Sequence, residues 1–322
     1  MWRPERLIHG PQVAAVDDIP PLNRVFSEAF TDRYRRDGLV GVRVPQLNPA
    51  IWEYAVRDAG DGAMIWRDTQ SELVAFNIAH RSGTEGWMGP LAVRTDRQGE
   101  GTGRTIVETA IEWLKGEGVT TLGLETMPRT VDNIGFYSRL GFVPQYLTVT
   151  MTHDVTRKGV AGPFVQLGGC DTVERRMWLA RCRDRLGLSA PGYDFTRELE
   201  LTLELGIGDT TVIEQDGVIA AFALWHSAAL ADVRSSDELR VLKLFSDGEE
   251  NFVRLLVALE SVTATLRLKR VAIRCQTRFE IAYEALLSRG YRVRWTDLRM
   301  TLSGYGEASP PGGEIIFSNW EV

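Results

Sequence analysis

Residues 93–103 read V-R-T-D-R-Q-G-E-G-T-G, and the segments on either side predict a strand, a turn and a helix. The apolar run at residues 87–93 is typical of a buried strand, and Ile106, Ala110 and Leu114 recur at helical spacing after the glycines. Glycine lets the backbone approach a ligand closely, and the first N–H groups of a helix point outward with the positive end of its dipole. The stretch therefore predicts an anion-binding turn.

Two well-known phosphate signatures do not fit this turn. The Walker signature requires Lys followed by Ser or Thr after its last glycine, whereas Gly103 is followed by Arg104 and Thr105. The dinucleotide fingerprint requires the spacing G-x-G-x-x-G, whereas the glycines here are Gly99, Gly101 and Gly103. A nucleotide-phosphate binder is therefore disfavoured.

The composition is that of an ordinary globular protein. The chain has 322 residues, 44% of them apolar and 25% charged, and a formal net charge of −6. The acidic balance argues against a nucleic-acid partner, which would need a basic face. No apolar stretch is long enough to span a membrane, and the N-terminus has no signal-peptide core, so we expect a cytoplasmic protein without a membrane partner. The three cysteines, Cys170, Cys182 and Cys275, have no metal or redox spacing, and no metal site is predicted.

The two halves of the chain show the same alternation of strands and helices. A shift of 149 residues superimposes them without gaps from Val93 onward. The matched pairs are Val93 with Leu242, Ile106 with Leu255, Leu122 with Val271, Leu124 with Ile273, Gly141 with Gly290, and Phe142 with Tyr291. The repeated glycine–aromatic pair favours a true duplication. A linker with glycine and proline between the halves predicts one domain at residues 1–155 and a second at 163–322.

Two motifs resemble those of the GNAT N-acetyltransferase superfamily. Its acetyl-CoA pyrophosphate loop has the pattern Q/R-x-x-G-x-G/A, filled here by Gln98, Gly101 and Gly103, five residues after a strand valine. Its closing motif has the form F-Y-x-x-x-G-F, and residues 136–142 read F-Y-S-R-L-G-F. The C-terminal half resembles the superfamily in outline only. The resemblance implies an α/β (α+β) fold of two GNAT-like domains, each a splayed mixed, mostly antiparallel sheet flanked by helices.

The resemblance also implies acetyl-CoA as cosubstrate and assigns residues to it. The strand amides of Leu91, Ala92 and Val93 would meet the thioester region. The pyrophosphate loop would comprise Gln98, Gly99, Glu100, Gly101, Thr102, Gly103 and Arg104. On the following helix Phe136 belongs to the closing motif. Many members have Asn seven residues before the motif tyrosine, but this chain has Thr130 there and Asn133 four before it, so either residue or neither contacts the pantetheine.

Acetyl transfer needs an acid for the leaving thiolate and a base for the amine. The resemblance implies that Tyr137 is the acid, and an ordinary phenol is suited to that role; the alternative is a packed helix aromatic. Glu85, Glu125 and His80 are candidates for the base, and Glu85 is the first choice. For any one of them, a surface or strand-end role is the favoured alternative.

The second half lacks the chemistry of the first. At the shift of 149, the residues that replace Gln98, Gly101, Gly103 and Tyr137 are Asp247, Glu250, Phe252 and Leu286. Carboxylates cap a helix start but repel a diphosphate. We expect this copy to be structural or to supply walls of the substrate cleft.

The predicted function is acetyl transfer from acetyl-CoA to a primary amine, by direct attack in a ternary complex. The acceptor is a small-molecule or peptide amine whose identity the sequence does not reveal, and the oligomeric state stays open. The alternative function is a non-catalytic module that binds or senses acyl-CoA.

Overall fold

The computed structural model describes residues 7–155, 161–232, 236–310 and 312–320. Within these residues the N-terminal half comprises β1 (Ile8–Val13), α1 (Ile19–Arg36), α2 (Pro49–Ala59), β2 (Ala63–Asp68), β3 (Leu73–Ser82), β4 (Glu85–Val93), α3 (Thr102–Gly116), β5 (Thr121–Thr126), α4 (Val131–Arg139) and β6 (Phe142–Asp154).

The C-terminal half comprises β7 (Val165–Gln166), α5 (Thr172–Ser189), α6 (Thr196–Leu205), β8 (Gly208–Gln215), β9 (Val218–His226), β10 (Glu238–Ser246), α7 (Gly248–Thr265), β11 (Arg270–Gln276), α8 (Glu280–Ser288), β12 (Arg292–Leu302) and β13 (Ile315–Ser318). A mixed sheet flanked by helices confirms the predicted fold class. The sequence patterns did not predict β1, α2, α5 or α6. Among the described residues, no helix has the length and apolar character that crossing a bilayer requires.

The helix after the glycine turn shows how the sequence pattern becomes packing. The apolar stripe of α3, with Ile106, Ala110 and Leu114, is fully buried against the sheet. The side-chain amide of Asn77 on β3 donates to the carbonyl of Ile106 at 3.0 Å, which ties the helix to the sheet beneath it. This contact fixes where α3 begins relative to the strands, and hence where the glycine turn lies.

All strands belong to one 13-stranded sheet that runs through both halves. Its order is β1-β2-β3-β4-β5-β12-β6-β11-β10-β9-β8-β7, and β13 pairs with β10 beside this path. Neighbours are antiparallel except β4 with β5 and β10 with β11, which are parallel. The sheet is thus continuous across the two predicted domains, whose boundary at residues 155–163 stays a prediction.

The last long strand of each half completes the sheet of the other half. Strand β12 lies between β5 and β6, and β6 lies between β12 and β11. The exchanged strands also contribute side chains to the hydrophobic core of the other half. Met300 and Leu302 of β12 belong to the N-terminal core around α3, whereas Val149 and Met151 of β6 belong to the C-terminal core around α7.

The register of the sheet corrects one detail of the predicted repeat. Glu85 of β4 pairs with Thr121, and in the other half Glu238 of β10 pairs with Arg270. Val93 therefore corresponds to Ser246 rather than to Leu242, and the gap-free shift is wrong for the strand before the turn. The reason is the turn itself: residues 94–101 separate β4 from α3, whereas Asp247 alone separates β10 from α7.

We expect neither half to fold alone. A fragment of residues 1–155 lacks β12, so β5 keeps an unpaired edge and the core around α3 loses Met300 and Leu302. Each fragment expressed alone should aggregate or unfold without cooperativity. Coexpression with residues 163–322 should yield a soluble complex, measured by size-exclusion chromatography and thermal unfolding. A monomeric fragment 1–155 with a sharp unfolding transition would contradict this.

Candidate active site

The N-terminal half has a slot where β4 and β5 part. Their parallel pairing ends at Met88 and Leu124. Gly89 and Pro90 then lie opposite the single residue Ile78 of β3, which is a bulge. Gly89 has a φ of 137°, a conformation that favours glycine, and Pro90 has no N–H to donate. The bulge bends β4 away from β5, as the resemblance predicts for a splayed sheet.

Beyond the bulge, β4 presents free backbone groups to the slot. The amide of Arg94 donates to the carbonyl of Val74 on β3 at 2.8 Å. Because the N–H groups of a strand alternate in direction, those of Leu91 and Val93 point to the opposite side, toward the slot. Strand β5 does not pair with this segment, so these groups are available to a ligand.

A cleft of about 340 Å³ occupies the slot. It brings together residues that are far apart in the sequence. The predicted residues that line it are Leu91, Ala92, Val93, Gln98, Glu125, Asn133, Phe136 and Tyr137. Of the two alternatives for the pantetheine contact, Asn133 lines the cleft, whereas the Thr130 hydroxyl donates to the carboxylate of Asp37 at 2.6 Å.

The glycine turn lies at the end of β4 and is held there by a side chain. The side-chain amide of Gln98 donates to the backbone carbonyl of Val93 at 3.0 Å. Gly99 and Gly101 have φ values of 80° and 90°, which side-chain-bearing residues rarely adopt. The turn thus presents the N–H groups of Thr102 and Gly103 without a backbone partner in the described part of the chain, whereas those of Arg104 and Thr105 donate to the carbonyl of Gly101. Gly99, Glu100 and Gly101 are exposed, as is Arg104 one residue after Gly103.

Tyr137 reaches the cleft from α4. Its side chain is buried, with Phe136 and Phe142 in edge-on contact, and the described residues offer its hydroxyl no hydrogen-bond partner. Burial raises the pKa of Tyr137 above its ordinary value. The phenol therefore stays protonated through neutral pH, although it is a weaker acid than an exposed tyrosine.

A second cavity of about 190 Å³ adjoins the first. The residues that line both are Phe30, Met88, Gly89, Pro90, Glu125 and Asp297. The second cavity continues between Trp87 and Trp320 toward Arg274 and Arg299. Both halves of the chain therefore build it, and it lies beyond the inner end of the slot.

The junction of the two cavities is charged. The Glu125 carboxylate accepts from Arg299 Nη1 at 2.8 Å, from Arg274 and from the Thr148 hydroxyl. Burial raises the pKa of Glu125, but the two guanidinium groups and Thr148 lower it by more, so the carboxyl is more acidic than usual. Glu125 is held ionised with both oxygens engaged, which makes it a weak base.

Asp297 lies at the same junction and was not predicted from the sequence. It accepts from the Trp295 indole at 3.1 Å and from Arg274 Nη2 at 3.2 Å. Burial, assisted by the nearby charge of Glu125, raises the pKa of Asp297 despite Arg274. Asp297 belongs to β12, so only the exchanged strand brings it to the N-terminal slot, and no local motif could have indicated it.

The structure separates the other two candidate bases. Glu85 is buried, accepts from the Trp87 indole at 3.3 Å and lines neither cavity. Its predicted role as the base stays untested. His80 lines the second cavity, and its Nδ1 lies 2.7 Å from the Asp58 carboxylate.

The corresponding slot of the C-terminal half is filled by the chain itself. Strand β10 pairs with β11 only as far as Val241 and Ile273. From Lys243 to Ser246 its edge pairs instead with β13. The helix start that follows has only Asp247 as its turn. The described residues of this half thus offer no open slot.

Comparison with known proteins identifies the N-terminal half. Residues 25–142 match the profile of the Acetyltransferase (GNAT) family. No curated protein matches the chain. The N-terminal half therefore contains a GNAT-family match, as its motifs predict, and the match supports an acyl-CoA-dependent acyltransferase.

Solved structures share the fold of the whole chain. A putative acetyltransferase from Pyrococcus horikoshii is 17% identical over 99% of this chain and 95% of its own, with a TM-score of 0.68. A tandem GNAT protein from the clavulanic acid biosynthesis pathway is 12% identical over 94% of this chain and 100% of its own, with a TM-score of 0.59. Saccharomyces cerevisiae N-myristoyltransferase with bound myristoyl-CoA is 11% identical over 96% of this chain and 85% of its own, with a TM-score of 0.64.

We expect one acetyl-CoA to bind per chain. Calorimetric titration should show a single site, and Gly101→Glu should weaken it about 100-fold, equivalent to about 3 kcal/mol. The new carboxylate would repel the pyrophosphate, and the φ of 90° would strain a side-chain-bearing residue.

Gly248→Glu is the matched control. Gly248 starts α7 with a φ of 83° and has open space around it, so the change brings the same strain and charge to the filled slot. Its affinity and stoichiometry should equal those of the unmodified protein. Two sites per chain, or equal weakening by both changes, would refute the assignment.

Proposed function

We propose that this chain transfers an acetyl group from acetyl-CoA to a primary amine, within a ternary complex of protein, acetyl-CoA and amine. The observation that carries the proposal is the pair of adjoining cavities. One follows the free edge of β4 from the glycine turn inward, and the other continues from its inner end to a charged pocket. Two substrates that meet at this junction can react directly.

The cosubstrate would lie along β4. The pyrophosphate would accept hydrogen bonds from the turn amides near Gly101, and the pantetheine amides would pair with the free strand edge at Leu91 and Val93. A thioester carbonyl near the bulge would be polarised by the amide of Leu91, because Pro90 has no N–H.

The charged walls favour a short acyl group. An acyl chain that extends beyond the junction would place hydrocarbon against Glu125, Asp297 and Arg274. An amine acceptor is better suited to these charged walls than an acyl chain is. The carboxylates of Glu125 and Asp297 that line the junction pair with the guanidinium groups of Arg274 and Arg299, so a polar acceptor meets charged partners there.

The chemistry then needs few groups. The neutral amine attacks the thioester carbonyl carbon, the C–S bond breaks, and the departing thiolate takes a proton from the Tyr137 hydroxyl. A proton from the attacking nitrogen restores the tyrosine. A phenol whose pKa is raised by burial does not lose its proton prematurely.

Tyr137→Phe should lower kcat about 100-fold, a common contribution of a general acid, and leave the Kd for acetyl-CoA unchanged. CoA release with a panel of small amines and peptides provides the rate, and calorimetry provides the Kd. Because burial raises the pKa of Tyr137, the rate of the unmodified protein should not fall with rising pH until above the ordinary tyrosine range.

Tyr283→Phe is the control, since it removes a hydroxyl from α8, the helix that corresponds to α4. It should leave kcat unchanged. An unaltered rate with Tyr137→Phe would exclude the proposed acid. Acetyl-CoA binding without CoA release for any amine would instead favour the non-catalytic module.

Acyl-chain length provides a separate test. With one accepted amine, kcat/KM should fall at least 10-fold from acetyl-CoA to hexanoyl-CoA, because the longer chain would displace solvent from charged walls. Equal or higher kcat/KM with hexanoyl-CoA or myristoyl-CoA would show that the second cavity takes the acyl chain.

A further inference from the structure

One ring nitrogen of His80 is hydrogen-bonded, and the other has no hydrogen-bond partner among the described residues. Its Nδ1 lies 2.7 Å from Asp58 Oδ2, and its Nε2 is buried without a hydrogen-bond partner among the described residues. The ring lines the second cavity and stacks on Trp320, with ring centroids 5.6 Å apart and an interplanar angle of 24°. A buried polar atom without a partner is costly, and this one belongs to a side chain that lines a cavity.

The carboxylate of Asp58 determines which nitrogen carries the proton. An ionised carboxylate only accepts hydrogen bonds, so Nδ1 must be the N–H that donates to it. Nε2 of the neutral ring then has a lone pair and can accept a proton. The carboxylate also stabilises the imidazolium that forms.

The charges around this pair are both acidic and basic. On the helix side, Arg197 Nε lies 3.9 Å from Asp58 Oδ1. Behind the strand lie Lys243 and Glu198, an ion pair at 3.4 Å that also contacts Ser82. The charged groups that line the cavity with His80 are Glu125, Asp297, Arg274 and Arg299.

The duplicated half provides an internal comparison. His226 of β9 lies opposite Arg240, as His80 of β3 lies opposite Trp87, so the two histidines occupy corresponding strand positions. In the half with the filled slot, His226 Nε2 lies 3.0 Å from the Thr202 hydroxyl. The available Nε2 thus occurs in the half with the open slot.

We infer that Asp58 and His80 form the proton-accepting dyad for the acceptor amine. The inference rests on the proposed function. His80 Nε2 takes one proton from the acceptor ammonium, which leaves a neutral amine with its lone pair free for the thioester carbon. The imidazolium gives that proton to solvent after the product leaves, so the overall reaction releases amide, CoA and one proton.

The nearby carboxylates are less suited than His80 to accept the proton of the acceptor ammonium. Both oxygens of Glu125 already accept hydrogen bonds, and each oxygen of Asp297 accepts one. Glu85 lines neither cavity. His80 offers an acceptor atom that no other side chain occupies.

The kinetic test compares His80→Gln and Asp58→Asn with His226→Gln, the matched control in the other half. His80→Gln should lower kcat about 100-fold, and Asp58→Asn at least 10-fold, with an unchanged Kd for acetyl-CoA. The acceptor ammonium must lose a proton before its nitrogen can attack, so the rate of the unmodified protein should rise with pH. His80→Gln should change this pH profile, and His226→Gln should not. Imidazole should partly restore the activity of His80→Ala.

Nitrogen NMR of ¹⁵N-histidine-labelled protein tests the dyad without turnover. The spectrum should show His80, assigned from His80→Gln, as the Nδ1–H tautomer, and Asp58→Asn should reduce this preference. A proton on Nε2 of His80 in the unmodified protein would overturn the inference whatever the kinetics.

Different results would overturn the proposed function and the inference about Asp58 and His80. If the unmodified protein releases no CoA with any amine, the proposed function fails and the inference fails with it. If the unmodified protein is active and His80→Gln retains its rate and pH profile, the inference alone is overturned.

Discussion

Each half of this protein has a strand edge that is paired by the last long strand of the other half. Strand β12 satisfies β5, and β6 satisfies β11, so the backbone groups at the centre of the sheet are paired only when both halves are present. The exchange also mixes the cores, because Met300 and Met151 are each fully buried in the half to which they do not belong by sequence. The two halves are thus joined by shared strands and shared cores, and the second cavity lies at this junction.

The need to pair backbone N–H and C=O groups is met differently in the slots of the two halves. A strand that leaves its parallel neighbour must find another partner for its N–H and C=O groups. In the C-terminal half that partner is β13, which pairs with β10. In the N-terminal half the edge of β4 stays open to a ligand. The chain that fills the C-terminal slot continues to the second cavity, since Asn319 and Trp320 follow β13 and line that cavity.

The charges at the junction show how the pocket can be both buried and polar. Arg299 is almost fully buried, with Glu125 and Glu307 as partners and the Trp87 ring 3.7 Å away. Burying one such group alone would be costly, and the network distributes the charge among several partners. It also engages the carboxylates of Glu125 and Asp297, whereas Nε2 of His80 has no hydrogen-bond partner among the described residues.

The sequence by itself determined the local features. Gln98, Gly101 and Gly103 specify a turn and a helix start, the periodicity of α3 specifies its buried face, and the motif at residues 136–142 places Tyr137 on a helix before a strand. Together these features predicted the fold class and the family of the N-terminal half, because each depends on residues within one or two elements. The repeat was also visible, although the shorter turn at Asp247 displaced its register by changing the chain length between strand and helix.

Only the tertiary structure decided which strands pair. Hydrophobic periodicity indicates which face of a strand is buried, but it does not say whose edge the strand joins, since every edge offers the same backbone groups. The exchange of β6 and β12, the pairing of β13 with β10 and the approach of Asp297 to the N-terminal slot therefore had no counterpart in any motif. The contact between Asp58 and His80 likewise joins α2 to β3 across the fold. Sequence motifs identified the glycine turn and Tyr137 because each depends on residues close together in the chain, whereas non-local strand pairing assembles the second cavity.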